Sequence, residues 1–503
     1  MTNQTIMLMK KTLQILLSFL LALVQGAMVW GQNPDIKRTM HWYFGEGAGL
    51  DFTSGTPVAD TLGKVNTLEA SFTMSDTCEN LLFYGYDSIF SKTHTFIESL
   101  DFCTPCNPKQ MLCIPQPGND SIFYIFYMDY FDYAIYYAIF NRNMNGGIGG
   151  IISKDNYIMG TPTDQPTEML AATYHCNDLD IWIVGKKASD KNLYAWLLTS
   201  TGFITTPVVS TVTPTLDFNN GCFANFSPDG SMMASMLLFD SYIPYPDSSY
   251  ILLNQFDNCT GIFYNPIKIP FSCPISTAFS QDNSKLYIVT DFECPFNGTV
   301  NASYLMQYDV SVYDSASILS SKKIIFQSTD TFFFGLQLGP DGKIYVVDFD
   351  TFTTSYYYTL THAGMIDSPN NSGVACNYIP DAIDLMGRVH FGFPEFVDSY
   401  FRDLNYFNCS TDIEEIKSQD SIVTIYPNPA SDFINIQCRS SGNNKSDSYR
   451  IKIYNTTGIL CIEKNITDEN TVLDIHSLSS GLYFMQFFQN NNHLIINFKI
   501  VIL

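Results

Sequence analysis

The sequence predicts an all-β chain in two parts, and three observations carry that reading. Turn-plus-strand units recur through about the first 400 residues. Aromatic side chains are abundant, with 31 Tyr and 39 Phe. The last stretch, 425–503, alternates apolar and polar positions with the two-residue period of a strand.

The recurring units are Met74 to Tyr84, Pro117 to Phe126, His175 to Val184, Phe226 to Gly230, Phe279 to Val289 and Leu338 to Val347. Several follow one recipe. A Pro fixes one turn dihedral, an Asp bonds back to the chain, and a Gly takes the position that other residues avoid. A run such as Lys285 to Val289 then buries alternate side chains. Wide Tyr and Phe rings suit a pleated surface. A repeat of about 52 residues holds four strands, which cannot bury both sheet faces alone, so neighbours must stack. Stacking around an axis also protects the sheet edges. The stretch 33–400 therefore reads as a β-propeller of seven blades. The aromatic run Asp129 to Asn141 fits strands around a turn better than a helix. The glycine-rich Asn145 to Gly150 lacks a phosphate-loop pattern and reads as an inter-strand loop.

Composition removes several classes. Hydrophobic residues make up 46% and mean hydropathy is +0.02, so the chain is not disordered at large. Formal net charge is −23, which opposes non-specific contact with nucleic acid. Lys10 and Lys11 precede an apolar run from Leu13 to Val29, a signal-peptide pattern that predicts cleavage after Gly31. The expected signal peptide is 1–31, with Gly26 as a second candidate cleavage point. Its removal takes two lysines and no acid, moving the charge from −23 to −25. No later stretch is long and apolar enough for a membrane-spanning helix.

Thirteen cysteines are free to oxidise in an exported chain, and the odd number leaves at least one without a partner in the chain. Spacing does not fix their connectivity. Cys103, Cys106 and Cys113 read as structural disulfides or buried thiols, since neither a zinc ligand set nor a redox-fold context accompanies them.

A polar linker follows at 401–424. The unit at 425–503 has six basic and six acidic residues, so the negative excess lies upstream. Phe433 to Gln437, Tyr449 to Tyr454, Gly481 to Phe487 and His493 to Leu503 are its clearest strands, and they predict a small Ig-like β-sandwich.

No catalytic, cofactor-binding or metal-binding residue is assigned. The seven histidines form no ligand pair, and His175 is expected to brace a neighbouring blade. Asp178, Asp180, Asp229, Asp282 and Asp341 lie at turns and are expected to brace loops. Calcium is the one ion weighed for an acidic loop, but the spaced Asp pattern is missing. Tyr242, Tyr245, Tyr250, Tyr356, Tyr357 and Tyr358 are candidates for either packing or ligand contact. Three consecutive tyrosines cannot all face one side of a sheet.

Two stretches resemble known families. Tyr426 to Pro429, the turn Tyr454 to Gly458, Leu478 to Tyr483 and the closing Phe498 to Val501 resemble the type A C-terminal sorting domain of the type IX secretion system. The resemblance implies passage through the outer membrane, with the secretion machinery as partner. It also implies a sorting motif at Pro427, Asn428, Pro429, Gly481, Tyr483 and Lys499. The apolar end after Lys499 departs from the usual pattern.

Upstream, the matching stretches are His41 to Gly45, Gly49 to Phe52, Ser75 to Tyr84, Thr173 to His175, Asp180 to Val184, Leu193 to Leu197 and Gly392 to Phe396. They resemble propeller-like secreted surface proteins of the Bacteroidetes type, with WD40-like repeats. That implies a fold and an address, and no chemistry.

The expected function is therefore a secreted or cell-surface binding or adhesion protein, attached to the outer face of the outer membrane or released, with a glycan or surface protein as ligand. A carboxylate-dependent glycan hydrolase on the same scaffold is the alternative. A purely structural surface-layer role is a third reading.

Overall fold

The computed structural model describes residues 34–68, 70–101, 111–129, 132–188, 191–212, 223–237, 250–271, 274–290, 302–350, 361–402, 423–426, 430, 432–438, 449–455, 460–466, 470–476, 478, 481–489 and 493–502. The chain divides into two compact units, Met1–Asn408 and Cys409–Leu503. The described residues are almost entirely β, with one short α-helix, Ser315–Ser320, capped by the Asp314 side chain.

In the upstream unit the described strands form seven antiparallel sheets, numbered here in chain order. Six have four strands and the first has three. Within each, strands follow one another in chain order, as short turns dictate. Each sheet opens with one inner strand: His41–Phe44, Phe72–Ser75, Leu112–Gln116, Ala171–Tyr174, Ala224–Phe226, Pro274–Phe279 and Thr331–Leu338. The aromatic run near residue 130 is two strands, Asn119–Asp129 and Ala134–Asn141, paired around a turn.

Burial explains the arrangement. Strands such as Ile181–Lys186 and Lys285–Thr290 are buried at every position, so both faces of their sheets are covered. What covers them is the next sheet. One cluster joins the first three sheets through Tyr43, Phe83, Phe123 and Phe140. Others join the third to the fourth, the fourth to the fifth and the fifth to the sixth. A last one joins the sixth and seventh to the first through Tyr287, Tyr345, Trp42 and Phe52. The succession returns to its start, which is the arrangement of a β-propeller. Trp42 lies 5.3 Å from Tyr345 and 5.0 Å from Phe52, ring to ring, and is wholly buried.

Sheets are also fastened covalently and by polar contacts. A disulfide, Cys176–Cys259, ties the first turn of the fourth sheet to the last turn of the fifth. Beside it, Cys176 N donates to Asn258 O at 3.2 Å and Trp182 Nε1 donates to the same carbonyl at 2.8 Å.

The downstream unit is a two-sheet sandwich. One sheet pairs Val423–Tyr426, Phe433–Cys438 and Asn470–Asp474. The other runs Leu460–Ile466, Tyr449–Asn455, Gly481–Gln489 and His493–Ile502. Ile434, Ile436, Ile451, Ile453, Leu473, Met485 and Ile500 form the core between them. Alternation in the sequence sends these inward and Arg450, Lys452 and Glu463 outward.

Candidate functional site

Three places bear on function: the axis of the ring, the turns around one of its ends, and the tail.

The axis is occupied by the chain itself. Residues 391–401, between the seventh sheet and the polar linker, contact the inner strand or residues within two of it in six sheets, and share a core cluster with the inner strand of the third. The Phe391 and Phe334 rings pack at a tilt, centroids 4.7 Å apart, and the Phe391 carbonyl would lie 2.9 Å from a Cβ added to Gly335. Phe393 meets Phe44 at 5.1 Å and Trp42 at 5.6 Å. Glu395 N donates to Ser71 O at 3.1 Å. Val397 and Tyr400 pack in one cluster with Leu112 and Ile114. Phe226 N donates to Asp398 Oδ2 at 2.7 Å, and Tyr174 N donates to Ser399 Oγ at 2.8 Å. Gln281 Nε2 donates to Phe401 O at 3.2 Å. A segment placed among the inner strands of all seven sheets lies where they converge. A cavity of about 10 Å³ remains beside it, lined in part by Asn225, Gln337, Asp398 and Phe401. That is room for a water molecule.

Charges at this end of the axis are paired. Arg38 Nε donates to Asp35 Oδ1 at 2.9 Å, and Tyr174 OH donates to Asp35 Oδ2 at 2.6 Å. Arg402 pairs with Asp178 and lies over the Tyr174 ring. Burial by the inner strands raises the Asp398 carboxyl above its ordinary range.

The turn carboxylates brace their own loops. Asp229 accepts Ser227 Oγ at 2.6 Å and Ser231 Oγ at 2.8 Å, and Asp282 accepts Ser280 Oγ and Ser284 Oγ at the same two distances. The two turns also meet, since Asp229 N donates to Asn283 Oδ1 at 2.9 Å. Asp341 accepts Tyr345 OH at 2.8 Å, and burial raises its carboxyl. Asp180 accepts Asn177 Nδ2 at 2.8 Å. The His175 ring serves its own turn, accepting Asn177 N at Nδ1, while the adjacent Cys176 reaches the next sheet. Among the described residues no group of His, Cys, Asp and Glu is placed to hold a metal ion.

A buried carboxylate also sits in the seventh sheet. Asp348 is 3% exposed, accepts Gly364 N at 2.8 Å and accepts the Tyr378 hydroxyl. Burial pushes its carboxyl up to about 6.

Tyr250 is buried under Lys268, whose Nζ lies 4.2 Å from the ring centroid. Tyr242, Tyr245, Tyr356, Tyr357 and Tyr358 lie outside the described residues, as do Cys103 and Cys106. Cys113 is a buried free thiol.

In the tail, Gly481, Tyr483 and Lys499 fall on two neighbouring strands. Gly481 stands opposite Ile502, Tyr483 opposite Ile500, and Lys499 opposite Phe484. Tyr483 is buried in the sandwich core. Pro427, Asn428 and Pro429 lie outside the described residues, bracketed by Tyr426 at a strand end and Ala430, which bridges to Ile502.

Residues 424–502 match the family model of the secretion system C-terminal sorting domain. The tail is a type IX sorting domain. It marks the chain for export, to the cell surface or beyond.

No curated protein matches this chain. Among solved structures, the propeller of Dos1 is 9% identical, with a TM-score of 0.40 over 69% of this chain and 82% of that one. A quinonprotein alcohol dehydrogenase-like protein from Bacteroides thetaiotaomicron is 10% identical, with a TM-score of 0.36 over 69% and 76%. The ring assignment rests on the sheet contacts above and not on these distant likenesses. Among the described residues, no helix is long and apolar enough to cross a membrane.

The sequence reading missed the axial role of 391–401. The signal was present: Phe391, Phe393, Phe396, Tyr400 and Phe401 crowd eleven residues just before a polar linker, without the alternation of a strand.

Proposed function

We propose that this chain is an exported binding or adhesion protein, held at the outer membrane surface or released, whose ring carries ligand contacts on its outside. The observation that carries this reading is the filled axis joined to a sorting tail. The place where a ring would offer a central pocket holds the chain's own segment, and the turn carboxylates beside it are engaged in bracing. Contacts with a glycan or a surface protein then fall to the ring's outer surfaces. Residues 238–249 and 351–360 of the sequence carry Tyr242, Tyr245 and Tyr356 to Tyr358, a side-chain type well suited to such contacts.

The secretion machinery is the partner of the tail, and Pro427, Asn428, Pro429, Gly481, Tyr483 and Lys499 are the residues proposed for its recognition. The test uses mature protein on glycan and surface-protein arrays, beside a polysaccharide hydrolysis panel. Saturable binding without turnover supports the reading. Hydrolysis that disappears on substituting a carboxylate pair would replace it with the glycan hydrolase. Deleting 425–503 is expected to retain the protein inside the outer membrane, and normal export of the truncated chain would remove the sorting role.

A further inference from the structure

We propose that residues 386–402 act as a single locking strap, whose seating along the axis closes the ring and holds all seven sheets at once. The strap begins by joining the ends of the ring. Glu46 N donates to Arg388 O at 2.8 Å, Arg388 N returns a bond to Glu46 O at 2.9 Å, and the Arg388 guanidinium pairs with the Glu46 carboxylate. This crossing requires Gly45. Its φ is +56°, and a Cβ there would lie 2.0 Å from Arg388 O. Phe391 N then donates to Leu68 O at 2.8 Å, and the strap enters the axis at Gly335 and Phe334.

From there its contacts alternate between apolar anchors and backbone bonds. Phe393 and Phe396 fill the space beside Trp42, at 5.6 and 6.0 Å. Asp398 and Ser399 then satisfy the backbone amides of Phe226 and Tyr174, in the fifth and fourth sheets. Ser399 is 1% exposed and Tyr400 wholly buried. Arg402 ends the strap on Asp178 and Tyr174. Removing it would bare apolar surface in several sheets and leave two buried amides without acceptors, a cost no single sheet bears alone. The strap is also the last part of the upstream unit to be available before the sorting tail. Ring closure therefore waits for chain that lies just ahead of the linker to the tail.

A strap that seats as one body couples its two ends, and this is testable in the full mature chain by amide hydrogen exchange. Phe393→Leu perturbs contacts with the first sheet; Ser399→Ala removes the acceptor in the fourth. If the strap is one unit, Phe393→Leu speeds exchange at Tyr174 and Phe226 by about tenfold, and Ser399→Ala does the same at Glu46, Arg388 and Phe391. Exchange changes confined to each variant's own neighbours would overturn the proposal and leave the segment as local packing. Both substitutions are mild enough to keep the fold, and the pair of cross-effects distinguishes a unit from a filler whichever ligand the ring binds.

Discussion

The ring and the sandwich solve the same problem, two buried sheet faces, with different side chains. The largest buried groups of the ring are Trp42, Tyr43, Tyr84, Tyr127, Tyr250, Tyr287 and Tyr345. The sandwich core is mostly aliphatic, eight of its twelve members being isoleucine. Geometry accounts for this. Two sheets packed face to face lie about 10 Å apart, a gap that branched aliphatics fill. Sheets set around an axis diverge from one another, and large rings bridge from one sheet to the next, as Tyr345 and Trp42 do. The ring also holds buried carboxyls, whereas the shifted acid of the described tail, Asp474, is exposed and lowered by its bonds to His476.

Four changes probe that contrast, each read from thermal or denaturant unfolding in which the two units melt separately. Trp42→Ala has the largest expected effect, a loss of up to about 5 kcal/mol from the ring alone, because this indole joins the first and seventh sheets and meets the strap. A single merged transition that shifts as a whole would break the comparison. Cys176→Ala opens a crosslink spanning 83 residues of sequence; loop entropy puts the loss near 4 kcal/mol in the ring, with the tail unmoved.

Asp348→Asn tests the buried acid. Its carboxyl lies near 6 in the fold against 3.8 outside it, so the folded ring binds the extra proton between those values. The Asp348 contribution to ring stability therefore falls as pH rises from about 4 to 6, by roughly 3 kcal/mol in all, and Asp341 and Asp398 act in the same direction, Asp398 up to about pH 8. The stability difference between wild type and the asparagine variant should follow that decline, and a difference that stays flat from about pH 4 to 6 would sink the assignment. The smallest effect is Ile453→Val in the sandwich, about 1 kcal/mol from the tail's transition only.

Much of this was legible in the sequence. The Pro-Asp-Gly turns mark where first and second strands meet, because Asp and Gly have few other uses at such a spacing. Period-two alternation located the tail's strands, since a one-residue slip would turn Ile451 and Ile453 outward. The sorting tail was readable from Gly481, Tyr483 and the closing strand. The Cys176 to Cys259 pairing was not, because both cysteines sit in turns whose proximity depends on how two sheets stack. Nor was the axial segment. Phe393 and Phe396 look like any aromatic pair until the ring exists around them, and the acceptor roles of Asp398 and Ser399 depend on strands more than 170 residues away.

The route the chain takes through the ring has a mechanical side. Within the described ring, a load entering from its C-terminal side at Arg402 runs along the axial segment rather than into one outer strand. Its contacts would be strained lengthwise and together, by shear, instead of being peeled open one after another. A ring tethered by its tail in flowing medium would thus resist tugging with all its sheets in parallel.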